Sequence, residues 1–242
     1  MTPEPPPVHP AARRRPGLHF LVWHDLVPRT KQVWFDTTRA EFEGQLARLE
    51  KAGAAPVSLD RAHAWLTRGE QPPPSGAVVL CFDDNTVGIH RIAFPLLRRR
   101  RWPFVVSAHS AYVGVRTGKD HCTWETLREM AAGGATLVSQ TVTHPPDLRA
   151  LNDADLAREI AGSRAAFARN AGAAPFALTY PSGKWDRRVA LAAARAGYGL
   201  ALTEDHGAAE TSPHGRGVRR WSTHKRFDQA LAAVARSARS GR

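Results

Sequence analysis

The stretch Ala77-Val78-Val79-Leu80-Cys81-Phe82-Asp83-Asp84-Asn85 decides the fold. Six apolar residues run without a break, and two carboxylates and an amide follow at once. A strand with one wet face would alternate. An unbroken apolar run of this length suits a parallel strand covered on both faces. Polar residues crowded at the carboxyl end of such a strand stand where α/β barrels carry their chemistry.

The same unit recurs on either side of this stretch. A first strand covers about 18–25 and ends in His24-Asp25. Thr38 caps a helix, with Glu41 completing a capping box and Phe42, Leu46 and Leu49 at helical spacing. A short strand over 56–59 leads to a helix bearing Ala62, Trp65 and Leu66, and 71–76 is a Pro-rich loop. Downstream, a helix near 88–99 precedes a strand over 103–108 that ends at His109. Thr123 caps the next helix, and a strand over 135–143 ends at His144. Asn152 caps a helix striped with Leu156, Ile160 and Phe167. A strand over 176–179 ends at Tyr180, and Asp186 starts an Ala-rich helix. Strands over 199–203 and 218–222 end near His206 and His224, and a helix from Phe227 closes the chain. Seven or eight β/α repeats predict a (β/α) barrel rather than an open doubly wound sheet. No Gly-x-Gly-x-x-Gly follows an early strand, which counts against a dinucleotide site.

Composition narrows the field. The 242 residues are 43% hydrophobic and 23% charged, ordinary for a globular chain. Two cysteines, Cys81 and Cys122, exclude a disulfide scaffold. No apolar run approaches the ~20 residues that span a bilayer. The formal charge is +12 and the pI near 10.9. The arginines are scattered and no nucleic-acid motif accompanies them, so they read as a solvated basic surface and no nucleic-acid partner is expected. Residues 1–17 hold five prolines in the first ten positions and read as a disordered leader, with 18–242 as the folded domain. No export signal is visible, which by sequence alone points to the cytoplasm.

A barrel would gather the strand ends on one rim: His24, Asp83, Asp84, His109, Gln140, His144, Tyr180, Asp205, His206 and His224. Such a rim of carboxylates and imidazoles favours an enzyme. The segments Phe82-Asp83-Asp84-Asn85, Ser139-Gln140-Thr141-Val142-Thr143-His144-Pro145 and Thr179-Tyr180-Pro181-Ser182-Gly183 together resemble the polysaccharide deacetylases, carbohydrate esterase family four with its NodB-homology domain. Trp23-His24-Asp25 and Cys122-Thr123-Trp124-Glu125-Thr126-Leu127 resemble the branch acting on poly-N-acetylglucosamine.

The resemblance implies an irregular (β/α) barrel of about seven repeats and hydrolysis of N-acetyl groups on an aminosugar polymer. It also implies a divalent metal, zinc, with cobalt or nickel as alternatives. Carried over, Asp83 is the general base and Asp84 and His144 are metal ligands. Gln140 stands where the family has the other ligand histidine, and an amide is a poor zinc donor. Three arrangements follow. Gln140 ligates through its oxygen, or His109 or His121 completes the site, or the site holds no metal and the chain only binds glycan. Asn85 replaces the usual Gly and would narrow the mouth or add a polar contact. A backbone N–H near Tyr180 would hold the oxyanion. The family's late acid maps to His224, or else His206, and Trp185 would stack on sugar.

Overall fold

The protein is described by a computed structural model over residues 6–14 and 17–240. Its sheet is parallel throughout. Strand β1 is His19–Trp23, followed by the two-residue pair β2 (Leu26–Val27) and β3 (Thr37–Thr38), then β4 (Ala55–Pro56). The main strands continue with β5 (Ala77–Phe82), β6 (Phe104–Ala108), β7 (Ala135–Ser139), β8 (Ala177–Thr179), β9 (Leu200–Leu202) and β10 (Trp221–Ser222). Their spatial order is β10-β1-β5-β6-β7-β8-β9, with β4 beside β5. Trp221 and Ser222 pair with β1, while Val218, just upstream, bridges Leu202 of β9. Residues 218–222 thus touch both edges of the sheet and curl it into an irregular barrel.

Side-chain parity explains the unbroken apolar runs. Along β1 and β5, Leu21, Trp23, Val78, Leu80 and Phe82 face one core. That core is filled by helices α2 (Arg39–Lys51), α4 (Phe94–Arg100), α5 (Trp124–Ala132) and α8 (Thr223–Arg239). The alternate residues Phe20, Val22, Val79 and Cys81 face a second core, with α3 (Leu59–Arg68). A third cluster seats α6 (Asp153–Asn170) and α7 (Arg187–Arg195) on β8 and β9. With both faces covered, these strands read as near-continuous apolar runs rather than alternating ones. The expected caps at Thr38, Thr123, Asn152 and Asp186 each accept a backbone N–H at their helix starts.

Several boundaries move for local reasons. Strand β7 stops at Ser139 rather than 143, because the Ser139 hydroxyl takes the Thr141 N–H and Thr141 turns left-handed (φ 68°). Ser58 caps α3, so β4 ends before it. The helix expected near 88–99 opens with a π turn, Ile89–Ala93, in which the Phe94 N–H reaches Ile89 O just ahead of Pro95, which has no N–H.

The expected disordered leader needs correction where it is described. A short helix α1 (Pro10–Arg14) forms, with Pro10 at a first-turn position that needs no N–H. Val8 and Ala12 are buried in the second core, Pro7 bridges His214, and Arg13 donates to the carbonyls of Ser212 and Pro213. Residues 1–5 and 15–16 lie outside the described residues.

Candidate active site

Just past the carboxyl ends of the strands, side chains wall two adjoining cavities. One, of about 240 Å³, is lined by His24, Asp83, Asp84, Gln140, Glu204 and His224, with Trp34 and Ser182 at its border. The other, of about 300 Å³, includes His109, His121 and Lys119. Phe35, Asp84 and His144 border both.

Asp83 is the most tightly held group on this rim. Its N–H continues the ladder to Trp23 O at 2.9 Å. Its carboxylate accepts Arg220 Nη1 at 3.0 Å, Arg220 Nη2 at 2.8 Å and the Ser107 hydroxyl at 2.9 Å. Arg220 is itself buried, and its Nε donates to Thr203 O at 2.7 Å. A buried, bidentate pair of this kind fixes a carboxylate's orientation, and losing one partner costs about 3–5 kcal/mol. Arg220 sits in the closing segment 218–222, and no motif singles it out among 34 basic residues.

His24, at the end of β1, faces Asp83. Burial opposes its charge, but Glu204, 3.6 Å from its Nε2, and the carboxylates of Asp84 and Asp83 outweigh burial and raise its pKa above 6.5. Glu204 is lowered to about 2 by its pairing with His24, despite burial. His224, 5.3 Å from His24 between ring centroids, goes the other way: burial and the nearby His24 lower it to about 4. The two imidazoles are therefore shifted in opposite directions, His24 toward its charged form and His224 toward its neutral one. His206 is exposed against Trp221 and lines neither cavity. The early Trp23-His24-Asp25 motif contained the signal, but only the sheet order, with β1 between β10 and β5, shows what His24 faces.

Asp84 sits in a left-handed turn (φ 70°) and pairs with Gln140 twice. The Asp84 N–H donates to Gln140 Oε1, and Gln140 Nε2 donates to Asp84 Oδ1, each at 2.9 Å. His144 Nε2 lies 3.7 Å from the same Oδ1. His121 uses both ring nitrogens, on Asp84 O at 2.9 Å and the Thr117 hydroxyl at 2.7 Å. His109 is buried near His121 and His144, which with burial lowers it to about 3. A catalytic zinc needs three good protein donors. Here Asp84 and His144 supply two, the third position is an amide already closed on Asp84, and His121 is spent. Among the described residues no group of three or more His, Cys, Asp or Glu is placed to hold a metal ion. This donor set does not fit a zinc centre.

The rim is also strained. Asp84, Asn85, Thr141, His144 and Ser182 all have φ between 40° and 70°, a region that costs a non-Gly residue on the order of 1–3 kcal/mol. Glu159 of α6 braces one of these turns, accepting the N–H groups of Val142 and Thr143 and the Thr143 hydroxyl.

Two expected residues, Asn85 and Trp185, are placed differently. Asn85 is fully buried, its amide without a hydrogen-bond partner among the described residues, and it lines neither cavity. Trp185 lies flat on Tyr180 at 6.1 Å and donates to Asp205, away from both cavities. Tyr180 does line the first cavity, as does Ser182, but its own N–H is committed to Leu202 O and its hydroxyl to Arg216 O.

A barrel with a paired-carboxylate rim of this kind defines a class, and the chain matches the Polysaccharide deacetylase family over residues 70–201. It belongs to the polysaccharide deacetylase family. It is 27% identical over 172 residues, 71% of its length, to YxkH of Bacillus subtilis (strain 168), provisionally described as a polysaccharide deacetylase. It is 29% identical over 131 residues, 48% of its length, to the poly-beta-1,6-N-acetyl-D-glucosamine N-deacetylase of Escherichia coli (strain K12). The aligned regions span 60% and 19% of those two proteins. IcaB from Ammonifex degensii shares the fold with a TM-score of 0.80 at 24% identity, covering 91% of this chain and 97% of that one.

Proposed function

We propose that this chain hydrolyses N-acetyl groups on a polysaccharide containing N-acetylglucosamine. The observation that carries the reading is the pairing in one cavity of a rigidly clamped carboxylate, Asp83, with an imidazole, His24, whose charged form the neighbouring carboxylates favour. In this reading Asp83 takes a proton from the attacking water as its oxygen bonds to the acetyl carbon. The C–N bond then breaks as His24 gives its proton to the leaving amine, releasing acetate and a free aminosugar. Glu204 keeps His24 charged for that step.

A second reading has a specific observation behind it. The Gln140–Asp84 pair ties up the carboxylate that a metal would use, which suits a chain that binds the polymer without cleaving it. Acetate release from β-1,6- and β-1,4-linked N-acetylglucosamine oligomers separates the two. Asp83→Asn and His24→Gln are each expected to slow release about 10²–10⁴-fold. Saturable oligomer binding with no release overturns hydrolysis and leaves the binding reading. In the same assay Gln140→His is expected to bind zinc at least about tenfold more tightly than the unaltered chain, since it restores a third donor. Tight stoichiometric zinc on the unaltered chain overturns the conclusion about the donor set.

A further inference from the structure

Trp34 and Val115 are the large hydrophobic residues exposed among the described residues, and Trp34 is 65% exposed. Unlike Val115, it borders the cavity that holds Asp83 and His24. It lies in the segment between β2 and β3 and is held there by neighbours rather than left loose. Its ring meets His224 at 4.8 Å and Phe35 at 5.4 Å, both nearly perpendicular, and Lys225 Nζ stands over the ring at 4.6 Å. Phe35, packed against it, borders both cavities. An indole that is anchored yet two-thirds exposed has no packing reason to be there. Such aromatics bury an apolar face against a ligand at little cost in side-chain entropy.

We infer that Trp34 is a sugar-stacking platform for a residue of the polymer next to the one in the cavity. The inference rests on the reading that the ligand is an aminosugar polymer, though not on whether it is hydrolysed. A pyranose offers an apolar C–H face matched to an indole, and the N-acetylated ring is neutral, so Lys225 over the Trp34 ring does not repel it. The cavity of about 240 Å³ suits roughly one sugar ring, so Trp34 at its border serves longer ligands. Trp34 is then a determinant of polymer length, outside the proton-transfer apparatus.

The test is calorimetric binding of the monosaccharide N-acetylglucosamine and of the hexamer of β-1,6-linked N-acetylglucosamine, with steady-state kinetics where acetate is released. Trp34→Ala is expected to weaken hexamer binding about five- to tenfold and monosaccharide binding by less than about twofold. Trp34→Phe is expected to recover most of the loss. Any kinetic effect falls on KM for the hexamer, with kcat nearly unchanged. Unaltered hexamer affinity in Trp34→Ala, while the wild type binds, overturns the platform alone. Equal loss for both ligands overturns it as well, because Trp34 would then shape the cavity itself. A wild type that binds neither ligand overturns the aminosugar reading and the platform with it.

Discussion

His24 and Glu204 set the pH range over which the proposed acid is charged. Because Glu204 and the two aspartates raise His24 above 6.5, activity is expected to hold through pH 6.5 and fall as pH rises through the shifted value. Replacing Glu204 by Gln removes a raising influence, so the falling limb of kcat/KM moves to lower pH. A limb that stays in place assigns the acid to another group. At this scale the sequence was informative for Asp83, Asp84, Gln140 and His144, because each sits beside a strand end in a recognisable motif. For the acid the family pattern points late in the chain, to His224 or His206, whereas the acid proposed here is His24. Burial instead holds His224 neutral, and His206 faces away. A pKa is set by neighbours brought from elsewhere, which spacing does not carry.

Elements were legible where one local force decides them. The capping box at Thr38 and Glu41 needs only residues three apart, and it formed as read. The leader was misread because proline content says nothing about Val8 and Ala12 finding an apolar surface on α3 and the turn Ala209–Thr211. That turn also anchors the start of β1: Glu210 Oε1 accepts the N–H groups of Gly17 and Leu18 at 2.9 and 2.7 Å. Burial raises Glu210 to about 7. The folded state therefore binds a proton that the unfolded chain holds only below about 4.5. Stability from this group is full below pH 4.5 and is lost as pH rises through 7. Relative to Glu210→Gln, the wild type is expected to gain up to about 1.4 kcal/mol per pH unit as pH falls from 7 to 4.5. Paired melting curves across that range check it, and parallel curves would place the charge of Glu210 in water.

The whole molecule carries an opposite pH response. His19 is lowered to about 4 by burial and Arg236, and both its ring nitrogens are buried without partners. His109 and His224 are lowered to about 3 and about 4. Each is neutral when folded and takes a proton near 6.5 when unfolded, so its stability is present above 6.5 and lost as pH falls toward 4. Three such groups outweigh Glu210, and urea midpoints are expected to drop between pH 6.5 and 4. His19→Leu should flatten that drop, because it removes a proton acceptor that exists only in the unfolded chain; an equally steep drop would show that His19 is hydrated. The barrel class was legible from the count of β/α units, since each unit is local. Its closure was not, because Trp221 and Ser222 meet β1, and Arg220 meets Asp83, across long stretches of the chain. That closure has a consequence in time. Asp83 and Arg220 are 137 positions apart, so at ribosomal speeds of about 5–20 residues per second the carboxylate waits roughly 7–27 s for its guanidinium. The nascent chain therefore emerges with Asp83 unclamped, and the rim around it is completed only once residues 218–222 have been made.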